Sequence, residues 1–129
     1  MTLRIIPERY LSHVQGLLRI ATTLLFLQHG TAKLFGYPHV AMFDQMKLFS
    51  LLGAGGILEL VGGALLLVGL FTRPVAFILS GEMAVAYFGF HALEAFWPIL
   101  NKGELAALYC FVFLFFSVAG PGKFALDRE

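Results

Sequence analysis

The sequence is short of charge. Only 13% of its 129 residues are Asp, Glu, Lys or Arg, against roughly 25% in an ordinary soluble domain. It is short of cysteine too. Cys110 stands alone, which excludes an intrachain disulfide, a C-x-x-C redox pair and a multi-cysteine iron–sulfur centre. A net charge of +1 gives no electrostatic footprint for nucleic acid. The period-two alternation of a membrane barrel is missing. No Ala-x-Ala cleavage pattern accompanies the first apolar run, and that run is too long for a signal-peptide core.

Apolar residues fill the space that charge leaves. They make up 59% of the chain, and the mean hydropathy is +0.83. One domain of this size cannot hide that much apolar surface in its own core, so lipid is expected to cover it. A membrane span needs roughly 17–25 mostly apolar residues. The runs Val14–Gly36, Leu51–Phe71 and Pro74–Leu93 meet that length. The fourth, Leu105–Gly120, is short and borrows from Lys102–Glu104 or Pro121–Phe124 at its ends. Lipid offers the backbone no hydrogen-bond partners, so spans default to helices. The expected fold is an all-α, integral membrane four-helix bundle over residues 1–129, with helices near 14–36, 51–71, 74–93 and 104–120.

Four spans put both termini on one side. Arg4, Arg9, Arg73, Lys123 and Arg128 fall on that side, and Lys47 and Lys102 on the other. The positive-inside rule then places both termini in the cytoplasm of a multi-pass inner-membrane protein. Tyr37, Phe96 and Trp97 form the outer aromatic belt. In the first loop, AMFDQMKLF is amphipathic enough for a short interfacial helix. Pro74 suits the first turn of the third helix.

Ionisable groups at membrane depth need a partner, water or a function. At about 100° per residue, Arg19, Thr22, Phe26, His29 and Lys33 share one stripe. Gly55, Glu59, Gly62 and Leu66 share another, which serves as a crevice beside a ligand or as a seam for close helix packing. Glu82 shares a face with Ala86 and Gly89, whereas His91 falls on the opposite face of a regular helix. Depth pairs Arg19 with Glu82 in the cytoplasmic half. It puts His29, Lys33, Glu59 and His91 in the outer half. Lys33 is expected to snorkel outward and His29 to face inward, toward Glu59 or the third span. His29 and Glu59 would line one pocket, with Lys33 at its mouth.

These residues stand in an order that resembles the DoxX family. Arg19 precedes FLQHGTAKLFG, then come GILELVGGALLLVGLFTRP, GEMAVAYF with His91 after it, and GPGKFALD. The resemblance runs from about Leu17 to Asp127. It implies a small four-helix membrane protein and points to Arg19, His29, Gly30, Lys33, Glu59, Gly63, Glu82 and the Gly120-Pro121-Gly122 turn with Asp127. Ala125 stands where the family usually has serine, so a hydroxyl role is not carried over there. Some members resemble subunits of thiosulfate–quinone oxidoreductase or of a terminal quinol oxidase.

Two function classes follow. In the first, the chain is a quinone-interacting oxidoreductase subunit. Lys33, His29 or Arg19 donates to the quinone carbonyls, Glu59 relays a proton, and a redox partner subunit supplies electrons. In the second it is a non-catalytic anchor, assembly partner or carrier of a small lipophilic molecule. Membrane lipid is a partner in either, self-association is compatible with both, and nucleic acid with neither. The candidate ligand-binding residues are His29, Lys33, Glu59, Arg19, Glu82 and His91. No metal site is expected. A haem between His29 and His91 is opposed by helix phase.

Overall fold

Helix α1 runs Leu11–Phe35 and stops at Gly36. Gly36 adopts φ 66°, and its N–H bonds to Ala32 O. A left-handed residue of this kind ends a helix most cheaply as glycine. The computed structural model describes residues 2–128 and is all-α, with no strand among them. The later helices are α2 (Leu51–Val68), α3 (Thr72–Ala86), α4 (Pro98–Asn101) and α5 (Glu104–Ala119).

The first loop holds only one 3₁₀ turn, Ala41–Phe43, where an interfacial helix was expected. Tight turns follow, from Met46 N–H to Phe43 O and from Ser50 N–H to Lys47 O. The chain then doubles back so closely that a Cβ on Gly53 would lie 2.2 Å from Leu48 O. Continuing the helix through Lys47–Leu48 would forbid that reversal. Ser50 caps α2 by accepting from Gly53 N–H at 3.1 Å, the usual N-cap role of serine. Helix α2 ends in a Schellman motif: Leu70 N–H reaches Leu65 O and Gly69 N–H reaches Leu66 O.

The third helix differs most from its apolar run, read as 74–93. It begins two residues early because the C-terminal tail caps it. The Asp127 carboxylate accepts from Phe71 N–H at 2.8 Å and from Thr72 N–H at 2.9 Å. It ends early because Tyr87–His91 widens into a π-turn, closed by Ala92 N–H to Tyr87 O at 2.8 Å.

Helix α1 packs on α2, α2 on α3, and α3 on α5. The shared core includes Phe26, Leu66, Ala76, Leu79, Met83, Tyr109, Phe113 and Phe116. Phe26 meets the edge of Phe113 at 4.9 Å and of Tyr109 at 5.3 Å, which joins α1 to α5. The outward faces carry Leu24, Leu25, Val61, Phe77, Val85 and Phe111, all exposed. Among the described residues, α2 alone is long and apolar enough to cross a membrane by length and hydropathy, with mean hydropathy 2.1. Helix α5 is apolar but shorter.

Candidate functional site

Gly30 lies at a close backbone approach of α1 and α2. A Cβ there would sit 2.9 Å from Leu60 N and 3.1 Å from Gly56 O, both backbone atoms. One turn on, Gly56 gives way to the Lys33 stem in the same manner, at 3.0 Å. The glycines of α2 therefore form a packing seam. That seam determines where Lys33 goes. Its ammonium turns inward, not outward as expected, and meets both Glu59 oxygens at 2.9 and 2.7 Å. Close backbone approach has brought the carboxylate within reach of a lysine stem that would otherwise extend to the headgroups.

Glu59 is 1% exposed and Lys33 14%. Glu82 of α3 completes the group. Its carboxyl hydrogen-bonds that of Glu59, and oxygens of both converge on the open side of Gly55. Two carboxyl groups can hydrogen-bond only when a proton lies between them. One lysine, two carboxyls and that proton sum to zero charge, the cheapest state for a group in apolar surroundings. Glu82 Oε1 remains buried with no protein partner.

His29 is half-buried beside this group, within electrostatic range of Glu59 and Lys33. Its ring packs against Phe26 and, edge to face at 6.1 Å, against Tyr109 of α5. His29 Nε2 and the Tyr109 hydroxyl are both buried without a protein partner. An open cleft of about 260 Å³ lies on the loop side of Lys33, lined by Lys33, Leu34, Val40, Phe43, Asp44 and Met46, among others, and neither His29 nor Glu59 is in that lining. Lys33 does stand at an opening, but as the inner wall of this cleft.

The expected Arg19–Glu82 pair is not formed. Arg19 is fully buried and spends its guanidinium on carbonyls: Leu66 at 2.8 Å, Lys123 at 3.1 Å, Phe124 at 2.6 Å, and Pro121. It sits level with the α2–α3 turn, against Gly69. Glu82 lies ten residues past Thr72, about 15 Å along α3 at the usual helical rise. His91 stands apart as well. Its Nδ1 lies 3.0 Å from Asn101 O, and since a carbonyl only accepts, Nδ1 carries the proton.

Two functional-looking residues had no sequence signal. Asn101 is 2% exposed. It donates to Tyr87 Oη and Ala95 O and accepts from Gly103 N–H, tying the π-turn to α4 and the start of α5. The other is Tyr109, whose place beside His29 depends on α5 lying across α1.

A family model for DoxX matches residues 15–92. An uncharacterised protein of Haemophilus influenzae is 44% identical, over 95% of this chain and 94% of its own length. An uncharacterised membrane protein of Mycobacterium tuberculosis is 31% identical, over 87% of this chain and 78% of its own length. No solved structure matches.

Proposed function

The chain belongs to the DoxX family of membrane proteins, and from that premise we propose that it is a four-span, single-domain subunit that binds a quinone-class molecule beside Lys33 and exchanges protons with it. Four spans are supported by the exposed apolar faces of α1, α2, α3 and α5. Such surface is unusual on a soluble monomer. The tail bonds back to Ser12, Val68 and Gly69, so the first helix and the tail meet at one end of the molecule. Five basic residues lie at that end, which favours a cytoplasmic location for both termini in the inner membrane.

The observation that carries the reading is the Lys33–Glu59–Glu82 group, which reaches an open cleft through Lys33, where Val40, Phe43 and Met46 stand beside Asp44. Reducing a quinone takes two electrons and two protons. The carbonyl oxygens need a donor and the ring needs apolar walls. Lys33 supplies the donor, Glu59 and Glu82 hold a proton, and Phe43, Val40 and Met46 wall the cleft. Its volume of about 260 Å³ falls just below the roughly 300–1,000 Å³ of ligand pockets, which suits a single ring. Electrons come from a partner subunit.

Gently solubilised protein is expected to retain quinone in its extracted lipid. Protein stripped of lipid should bind a short-chain quinone, and Lys33→Met should weaken that binding by about tenfold or more, the worth of one charge-assisted hydrogen bond. Binding that Lys33→Met leaves unchanged would remove the cleft from the reading. No binding by the native protein would favour the second reading, a non-catalytic anchor or assembly partner. The glycine seam supports that alternative, since Lys33–Glu59 would then tie α1 to α2.

A further inference from the structure

We propose that the Lys33–Glu59–Glu82 group exchanges protons only with the loop side of the membrane, because a packed apolar layer closes it off from the side of the termini. The inference rests on the four-span reading and is independent of quinone.

Each long helix contributes to that layer. Phe26 lies seven residues before Lys33 in α1, and Leu66 seven after Glu59 in α2. Leu79 lies three before Glu82 in α3, and Phe113 and Phe116 follow Tyr109 in α5. All five displacements point toward the termini. All five side chains are 0–1% exposed. The layer is tight between helices as well as within them. A Cβ on Gly62 would lie 3.0 Å from Leu79, and one on Gly63 would lie 2.6 Å from Leu27. Aromatic rings meet edge to face across it, Phe26 against Phe113 at 4.9 Å. A water chain needs polar partners at each step, and these five side chains offer none. Beyond the layer, the Arg19 guanidinium is already committed to carbonyls, Leu66 of α2 and Pro121, Lys123 and Phe124 of the tail.

The loop side differs in every respect. Exposure rises from Glu59 at 1% to Lys33 at 14%, and Lys33 forms the inner wall of the open cleft. Glu82 Oε1 makes no hydrogen bond to another protein group, so no protein donor or acceptor competes for a proton there. The other titratable groups around this interior are Lys33 and His29 from α1, Glu59 from α2, and Tyr109 and Cys110 from α5. None of them lies on the terminal side of the layer.

The test uses the native protein in proteoliposomes sorted by orientation, with a membrane-impermeant amine label located at Lys47 or at Lys123 to establish which face is outside. The readout is the infrared absorbance of a protonated carboxyl group, assigned with Glu82→Gln. After an external pH jump with the membrane potential clamped, the band should respond more than roughly tenfold faster with the loop face outside, since an apolar layer supports no water chain. Leu79→Asn places a polar side chain in the layer and should raise the rate from the terminal face. Equal rates from both faces, or faster exchange from the terminal face, would overturn the inference. So would a spectrum with no band assigned to Glu82 at any pH. None of these outcomes depends on whether a quinone binds, so a failed ligand titration leaves the result interpretable.

Discussion

Lys33 carries the clearest lesson at the scale of a residue. The spacing of His29 and Lys33 places them on one helix face, as any pair four residues apart, and that much is legible in the letters. The direction of the lysine is not, because it depends on how near α2 comes, and that depends on Gly30 meeting a backbone in another helix. Glu59 was legible as a buried acid needing a partner, but the choice of Lys33 over His29 was not. Glu59→Gln should test the pair. Removing one partner of a buried ion pair destabilises by about 3–5 kcal/mol, and the lower end is expected because Glu82 stays close enough to share the lysine's charge. A lowered melting temperature in detergent is the measurement. Lys33→Met combined with Glu59→Gln should recover part of the loss, as coupled neighbours do in a double-mutant cycle. If Glu59→Gln melts like the native protein, the pair is wet and contributes nothing.

At the scale of an element, the glycines separate into two kinds that composition cannot distinguish. Gly30 has backbone atoms within 3.1 Å of a would-be Cβ, and Gly81 has nothing within 4 Å. Gly30→Ala must push α1 and α2 apart, and overpacking of this sort costs about 1–3 kcal/mol. Gly81→Ala, in the middle of α3 and exposed, should stabilise by about 0.5–1 kcal/mol through helix propensity alone. Opposite shifts in melting temperature are expected from the same chemical change, and matching signs would contradict the α1–α2 seam. The third helix shows the limit of run length as a guide. Apolar residues continue from Pro74 to Leu93, so hydropathy reads one helix. Hydrogen bonding divides it, because Asn101 holds Tyr87 and Ala95 from outside the run. Asn101→Leu leaves the Gly103 N–H and Ala95 carbonyl unpaired, and about 2–3 kcal/mol should be lost, in line with the usual cost of buried unsatisfied groups.

At the scale of the whole molecule, the two ends of the chain clasp each other, and this was the least legible feature. Arg19 invites pairing with an acid at similar depth, and a sequence offers no sign that a tail a hundred residues away returns over it. The return depends on a set of backbone contacts: Lys123 N–H to Ser12 O, Leu126 N–H to Val68 O and Asp127 N–H to Gly69 O. Gly16 and Gly69 leave room for it, since a Cβ on either would come within 2.3 Å of the tail. Asp127 closes the clasp by capping α3. Burial works to raise its pKa. The N–H groups of Thr72 and Phe71 and the charge of Arg19 outweigh that and hold the carboxyl below its ordinary range. A group depressed in the folded state contributes stability above its unfolded value, near about 3.9 for aspartate. That contribution fades as pH falls through the folded value. The native protein should therefore melt higher than Asp127→Asn at neutral pH, by the equivalent of about 1–2 kcal/mol for a lost helix cap. The gap should narrow as the solution is acidified below about pH 4. Arg19→Lys should behave differently. It keeps the charge but loses the planar fork that reaches several carbonyls at once, so its deficit should be larger and should persist at acid pH. Melting curves of the three proteins across that range decide the matter. An Asp127→Asn gap that stayed constant with pH would mean that the carboxylate acts through shape alone and that its charge plays no part in holding the tail.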